Sequence, residues 1–260
     1  MTKYKATAVS YLNTKPLLYG LVQGKVGPQL DLSLAIPSEC ARRLKAGDVD
    51  LALTPVAILP ELPSYHLVSD YCIGAVGAVK TVCLYGEVPV EEMDAIYLDH
   101  HSRTSIALVR VLLQEHWQQQ PDFIPAQDGY IADIRGRRGG VVIGDRTIGL
   151  EKRFPYVYDL AEIWTQFTGL PFVFAAWVST EPLDADFVEA FNADLAQGIA
   201  MIPQLKLLLP SPDPNFDLQE YFTRYISYEL DDAKREGLDL FLQYVSRLPE
   251  LQLSLDAATG

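Results

Sequence analysis

The sequence is short of cysteine and of positive charge, and it contains no long apolar run. Its 260 residues include only three cysteines, and 21 Lys and Arg stand against 34 Asp and Glu, which gives a formal net charge of −13. This excess of acid argues against a nucleic-acid partner and against an anionic membrane surface, because both reward a basic protein surface. The excess of acidic residues is compatible with a small anionic ligand, since a few N–H and hydroxyl donors in one cleft can outweigh the diffuse negative potential of the protein surface.

The cysteines Cys40, Cys72 and Cys83 are odd in number and lack the spacing of metal ligands. We therefore expect reduced thiols in a cytoplasmic protein. Residues 1–6 contain no apolar signal core, and no later stretch predicts a membrane span. We find no internal repeat, and we expect residues 254–260 to fray.

Hydrophobic residues make up 49% of the chain, enough for a large core in one or two domains. Strand-like segments alternate with helix-like segments, which predicts an α/β fold with largely parallel strands. The predicted strands span residues 6–9, 30–35, 50–54, 66–71, 79–85, 95–98, 141–143, 156–159 and 172–178. Helices are predicted over residues 39–46, with Ser38 as the cap, and 104–116, 160–168, 184–201, 218–227 and 231–247, after a first helix that opens at Pro16.

Polar residues follow four of the predicted strands, where a helix or turn begins. These junctions are residues 10–14, 54–55, 102–105 and 144–145. In α/β sheets ligands bind beyond the carboxyl ends of the strands, and a helix N-terminus with free N–H groups attracts anions. We therefore expect at least two junctions to line one ligand site. The alternative, that Asn13 or Thr14 only caps a helix, stays open at this point.

Five segments match a known pattern in order along the chain. They are Ser-Tyr-Leu-Asn with Pro-Leu at residues 10–20, residues 37–56, Ser-Arg-Thr-Ser at 102–105, Val-Ile-Gly-Asp at 142–145, and residues 158–177. Together they resemble the chorismate dehydratase family of the futalosine pathway of menaquinone biosynthesis. The opening segment is the most discriminating of the five.

The resemblance implies an architecture like that of type II periplasmic binding proteins. Two α/β lobes are then joined by two hinge strands, with the ligand site in the cleft between the lobes. The hinge strands would lie near residues 81–85 and 172–178. The first lobe would combine residues 1–84 with 176–260, and the second lobe would be the insert 85–175.

The reaction implied by the resemblance is a carbon–oxygen lyase reaction, the loss of water from chorismate to give 3-[(1-carboxyvinyl)oxy]benzoate. It implies catalytic roles for Asn13, which can donate to the departing oxygen or to the ring carboxylate, and for Thr81, where the family usually has serine. The expected substrate-binding residues are Ser10, Tyr11, Thr54, Ser102, Arg103, Thr104, Ser105, Gly144 and Asp145. No cofactor, metal ion, nucleic acid or membrane is implied, and the small dicarboxylate substrate is the expected partner.

No motif residue is an obvious general base. We expect the enolpyruvyl carboxylate of the substrate itself to remove the ring proton. Asp145, His100 and His101 are the competing candidates. Lys15, Lys80 and Arg103 can each meet a carboxylate or face water.

Other functions are compatible with the same fold. The related 1,4-dihydroxy-6-naphthoate synthase uses a histidine in its second lobe, and no histidine follows His116 in this sequence. A non-catalytic solute-binding protein would be exported, which the absent signal core argues against. A ligand-sensing regulator would need a helix-turn-helix segment and a basic surface for DNA, and neither is found. The oligomeric state does not follow from the sequence.

Overall fold

The computed structural model describes residues 3–251 and contains two mixed β-sheets with helices packed on them. Its strands are β1 (Tyr4–Val9), β2 (Leu30–Ala35), β3 (Leu51–Pro55), β4 (His66–Ala75), β5 (Val82–Gly86), β6 (Ala95–Leu98), β7 (Asp122–Pro125), β8 (Arg138–Ile143), β9 (Tyr156–Asp159), β10 (Phe172–Ser179) and β11 (Ser227–Glu229). Its α-helices are α1 (Lys15–Gln23), α2 (Pro37–Lys45), α3 (Arg103–Val111), α4 (Leu160–Thr168), α5 (Ala185–Ala200), α6 (Ile202–Leu208), α7 (Leu218–Glu220) and α8 (Asp232–Val245).

The first lobe is built on a six-stranded sheet and the second lobe on a five-stranded sheet. The first sheet has the order β11-β4-β10-β3-β1-β2, and the second has the order β7-β6-β8-β5-β9. In the first, β1 is parallel to β2 and β3, with Ala8 opposite Leu34, whereas β10 runs antiparallel to β3 and β4. In the second, β6 is parallel to β7 and β8, whereas β5 runs antiparallel to β8 and β9.

The expectation of largely parallel strands is therefore only partly met. The chain enters the second sheet through β5 and returns to the first through β10, and each of these strands runs against its neighbours. Both strands overlap the predicted hinge strands, but each belongs wholly to one sheet. The chain passes between the lobes in residues 76–81 and 169–171. The lobe boundaries after residues 84 and 175 stay a prediction.

Most predicted elements form near their predicted ends, and the exceptions have local causes. The predicted cap Ser38 is wrong, because α2 begins one residue earlier at Pro37, whose fixed φ suits a first helical position. Helix α3 continues as a π-helical turn, Leu112–Trp117. The predicted helix over 218–227 is instead α7, a π-helical turn at Tyr221–Tyr225, and β11.

The strands β7 and β11 were not predicted, since both are short and neither shows a sustained alternation. The expectation that residues 254–260 fray falls outside the described residues. Cys40, Cys72 and Cys83 are buried free thiols, as predicted. Across residues 3–251, none of the helices combines the length and the apolar character needed to cross a bilayer.

Helices α1 and α5 approach each other closely through two glycines. A Cβ at Gly198 would lie 2.1 Å from the carbonyl oxygen of Pro16, and one at Gly20 would lie 2.0 Å from that of Asp194. No side chain other than hydrogen fits at this separation without movement of the helices. The contact therefore fixes the position of α1, which follows directly on the first polar junction.

Candidate functional site

The opening turn, Leu12–Thr14, connects β1 to α1 and presents a backbone N–H to the second lobe. The carboxylate of Asp145 accepts this N–H from Leu12, at 3.1 and 3.3 Å to its two oxygens. No side chain in the described range caps this turn or α1, so the helix-cap alternative is not realised. The anion at this helix N-terminus is therefore a protein carboxylate. Burial raises the pKa of Asp145, although the Leu12 N–H and the Lys15 charge oppose that rise.

The third junction is organised by a serine pair at the start of α3. Ser102 caps the helix, and its Oγ accepts from the Ser105 N–H at 3.3 Å and from the Ser105 hydroxyl at 3.2 Å. Thr104 points elsewhere, because its hydroxyl accepts the Ala57 N–H of the first lobe at 3.2 Å. The two serines are buried, and they are the members of this junction that face the cleft.

An inner cavity lies between the lobes, and its polar lining consists of predicted site residues. These are Tyr11, Asn13, Thr81, Ser102, Ser105 and Gly144. The remaining lining is apolar and comprises Val9, Pro37, Pro55, Ile73, Val79, Val82, Ile143, Phe174 and Ala175. No carboxylate, imidazole, lysine or arginine is among these lining residues. The site therefore offers neutral hydrogen-bond donors in an apolar enclosure.

The inner cavity is small. Its volume is about 40 Å³, far below the roughly 300 Å³ at the lower end of small-molecule pockets. A ring-sized ligand therefore enters only if the lobes move apart, as the two crossing segments between them allow.

Tyr11 spans the cleft from the first lobe to the second. Its hydroxyl lies 2.6 Å from Nδ1 of His101, near the positive charge of Arg146. Burial raises the pKa of Tyr11 to about 12, so that it stays a neutral donor. Its ring lies against Gly144, where a Cβ would be only 2.8 Å from the ring carbon Cζ. Gly144 has φ +65°, a left-handed conformation that favours glycine.

Behind Tyr11, the buried Asp99 organises the second lobe. Its carboxylate is paired with Arg146 and accepts the hydroxyl of Tyr130 at 3.1 Å and the N–H groups of Ile143 and His101 at 3.2 and 3.0 Å. Burial, together with the Arg146 charge, lowers the pKa of His101. That imidazole is therefore neutral at pH 7 and can accept from Tyr11.

The side chains of Asp99, His100 and His101 also bring possible metal-ligand atoms within 4.8 Å of one another. The Asp99 carboxylate is already paired with Arg146, and Nδ1 of His100 lies 3.1 Å from the carbonyl oxygen of Ala126. These contacts explain the cluster as part of the protein's own hydrogen-bond network.

Five of the predicted substrate-binding residues do not line the inner cavity: Ser10, Thr54, Arg103, Thr104 and Asp145. Arg103 pairs with Glu61 at the surface, with an N–O distance of 2.9 Å. The hydroxyl of Thr54 is buried without a partner among the described residues, next to the lining residue Pro55. The Ser10 side chain is exposed. Arg103, although part of the matching segment, therefore faces solvent away from the cleft.

Two contacts to predicted catalytic residues come from a region that the sequence analysis described only as helical. The hydroxyl of Tyr221 lies 2.9 Å from that of Thr81, and the hydroxyl of Tyr228 donates to the backbone oxygen of Asn13 at 2.8 Å. Sequence periodicity predicts burial of such residues but not their partners. Asp99, directly after β6, could have been found as a fifth strand-end polar residue.

The chain matches the family model described as menaquinone biosynthesis over residues 4–247. It is 28% identical to the chorismate dehydratase of Thermus thermophilus over an alignment of 234 residues, which covers 80% of this chain and 84% of that protein.

Solved structures establish the fold. The protein AF1704 of Archaeoglobus fulgidus aligns with a TM-score of 0.72 at 11% identity, covering 94% of this chain and 97% of that one. The Candida albicans CA3427 gene product, which has the generic periplasmic binding protein fold, aligns with a TM-score of 0.65 at 13% identity, covering 97% and 92%. The predicted fold class is confirmed. With a family match over nearly its whole length, the chain belongs to the menaquinone biosynthesis family.

Proposed function

We propose that this protein is a chorismate dehydratase, a hydro-lyase that converts chorismate to 3-[(1-carboxyvinyl)oxy]benzoate and water. Family membership and the similarity to the Thermus enzyme support the activity. The observation that carries the proposal within this chain is the inner cavity, in which Asn13, Thr81, Ser102 and Ser105 converge with Tyr11 from both lobes.

The reaction removes a proton from the ring carbon that bears the enolpyruvyl ether and hydroxide from the adjacent carbon. The C–H and C–O bonds break, the electron pair of the C–H bond completes the aromatic ring, and the proton and hydroxide leave as water. The protein then has to hold two carboxylates and assist the departing hydroxyl. Asn13 and Thr81 are proposed to donate to the departing oxygen, and the Ser102–Ser105 pair to one carboxylate.

The neutral lining of the inner cavity favours the substrate as its own base. An enolpyruvyl carboxylate held by neutral donors in an apolar enclosure keeps more basicity than one in a tight ion pair. Asp145 is occupied by the Leu12 N–H, His100 by Ala126 and His101 by Tyr11. None of these three candidate bases lines the cavity. Reaction there accordingly proceeds with the substrate carboxylate as proton acceptor.

The decisive experiment incubates the purified protein with chorismate and follows the aromatic product by NMR and mass spectrometry. Heat-denatured protein controls for spontaneous breakdown of chorismate. A 1,4-dihydroxy-6-naphthoate synthase would leave chorismate unchanged, and a solute-binding protein would bind it without turnover. Either result would refute the proposal. A cytoplasmic location is part of the proposal, and cell fractionation tests it.

A further inference from the structure

Tyr221 stands between the inner cavity and a second, larger space. This outer cavity, with a volume of about 570 Å³, opens between the second lobe and the segment before α8, and its wall includes Lys80, Gly149 and Tyr225 as well as Tyr221. The Tyr221 ring is 2% exposed and packs against Phe216, with ring centroids 5.1 Å apart. Its position is therefore fixed by packing.

The Tyr221 hydroxyl reaches one of the two residues proposed to act on the departing oxygen. It lies 2.9 Å from the hydroxyl of Thr81. Burial raises the pKa of Tyr221 well above its usual value, so the group is a neutral phenol across the working range. The phenol thus supports a hydroxyl at the crossing between the lobes.

The hydrogen atoms in this pair can be assigned from the acidity of the two hydroxyls. The Tyr221 phenol is the more acidic of the two, so its hydrogen goes to Oγ of Thr81. Thr81 keeps its own hydrogen, whose only other protein acceptor among the described residues is the carbonyl oxygen of Val79 at a long 3.5 Å.

We propose that Tyr221 is a positioning residue that aims the O–H of Thr81 at the departing hydroxyl of the substrate. It does so by giving one hydrogen bond to Oγ of Thr81, which leaves the hydrogen of Thr81 for the cavity. This inference rests on the proposed function, and it adds a residue outside every matching segment.

The test compares steady-state kinetics of Tyr221→Phe with those of the wild-type protein and of Tyr85→Phe. Tyr85 is an equally buried tyrosine whose hydroxyl contacts Cys83, away from the inner cavity. Y221F should lower kcat by about 10- to 100-fold with KM changed by less than about threefold, the range for loss of a supporting hydrogen bond. Y85F should keep kcat within about twofold of the wild-type value. The melting temperatures of Y221F and Y85F show whether each variant is folded.

A double-mutant cycle separates positioning from general damage. If Tyr221 acts through Thr81, Y221F should cost at most about threefold in a Thr81→Val background, because the partner is already lost. The proposal is overturned if the losses in kcat from Tyr221→Phe and Thr81→Val are fully additive, or if Y221F has the kcat of the wild type. In either case, turnover of chorismate by the wild-type protein still supports the dehydratase function. A wild-type protein inactive on chorismate refutes both.

A conservative replacement guards against misfolding of Y221F. 4-Aminophenylalanine at position 221 keeps the ring, one acceptor and a donor of similar reach. The folded protein should retain kcat within about tenfold of wild type. The proposal is contradicted if the protein with 4-aminophenylalanine at position 221 is folded but loses as much kcat as a Thr81→Val variant.

Discussion

At the scale of single residues, Thr81 tests whether a hydroxyl in the inner cavity takes part in the reaction. Thr81→Ser keeps the hydroxyl and should retain kcat within about fivefold, whereas the isosteric Thr81→Val should lose about 100-fold or more. Both variants keep the buried position filled, so their melting temperatures should stay close to that of the wild type. The measurement is steady-state turnover of chorismate. Equal activity of T81V and wild type would remove Thr81 from the mechanism.

Most of the polar lining of the inner cavity was predictable from the sequence, because Asn13, Ser102 and Ser105 lie in segments with a recognisable pattern. Asn13, Thr81, Ser102 and Ser105 all meet in the inner cavity. The surface ion pair of Arg103 could not be predicted, because position within a motif does not fix side-chain direction and its partner, Glu61, is 42 positions away. Tyr221 could not be predicted, since its contact with Thr81 spans 140 positions with no local signal.

At the scale of elements, the opening turn is held by Asp145, and this contact makes a pH prediction. The folded pKa of Asp145 lies above its ordinary value because of burial. The stability that this group contributes is therefore fully present below the ordinary pKa and is lost as the pH rises through the folded pKa. Urea titrations measure the free energy of unfolding of the wild type and of Asp145→Asn at each pH. The wild-type value minus the variant value should become more negative between pH 3.5 and pH 7.

Asp94→Asn supplies a control of opposite sign. Hydrogen bonding by Arg137 lowers the pKa of Asp94, so its contribution is present above the ordinary pKa and is lost as the pH falls. Wild type minus D94N should therefore become more positive with rising pH. If the two differences moved in the same direction, the assignment of Asp145 as a carboxylate whose pKa is raised by partial burial would be wrong.

The contact of α1 with α5 predicts a stability effect at Gly198. Gly198→Ala places a methyl group against the Pro16 carbonyl oxygen, and overpacking of this kind costs about 1–3 kcal/mol. The neighbouring exposed change Gln197→Ala should stay within about 0.5 kcal/mol. Urea denaturation measures both. A G198A variant as stable as Q197A would mean that the helices separate without cost.

Elements were predicted best where the local pattern was strong. Strands β2, β6 and β9 and helix α4 begin and end at the predicted residues, and α4 carries both its signals, the Asp159 cap and Gly169 at φ +76°. Antiparallel insertion of β5 and β10 was not predictable from residue pattern, because strand direction depends on how the chain crosses between the sheets.

At the scale of the whole molecule, hydrogen bonds between the lobes should report cleft opening. Three backbone N–H groups of the first lobe donate across the cleft: Leu12 to Asp145, Ala57 to Thr104, and Ser38 to the His101 carbonyl oxygen at 2.9 Å. Because the 40 Å³ cavity must widen to admit a ligand, these bonds break in the open form. Saturating product should slow their amide exchange, measured by NMR.

Amides bonded within one lobe serve as the reference. Asp50 donates to Lys5 within the first lobe, and Asp94 donates to Arg137 within the second. Their exchange should change by less than about twofold when product binds, since neither bond depends on lobe separation. Uniform slowing of all five amides would indicate global stabilisation instead of closure. The same exchange data, taken over the whole chain, test the predicted lobe boundaries after residues 84 and 175.

Closure of the cleft depends on the absence of a side chain at Gly144. Gly144 brings its backbone directly against the Tyr11 ring, so at this point only the hydrogens of the glycine Cα lie between the lobes. A single methyl group at this position would act as a spacer that keeps the lobes ajar, and water would then reach the neutral donors that the reaction needs dry. The size of the residue at 144, rather than its chemistry, thus limits how completely the enzyme can exclude solvent.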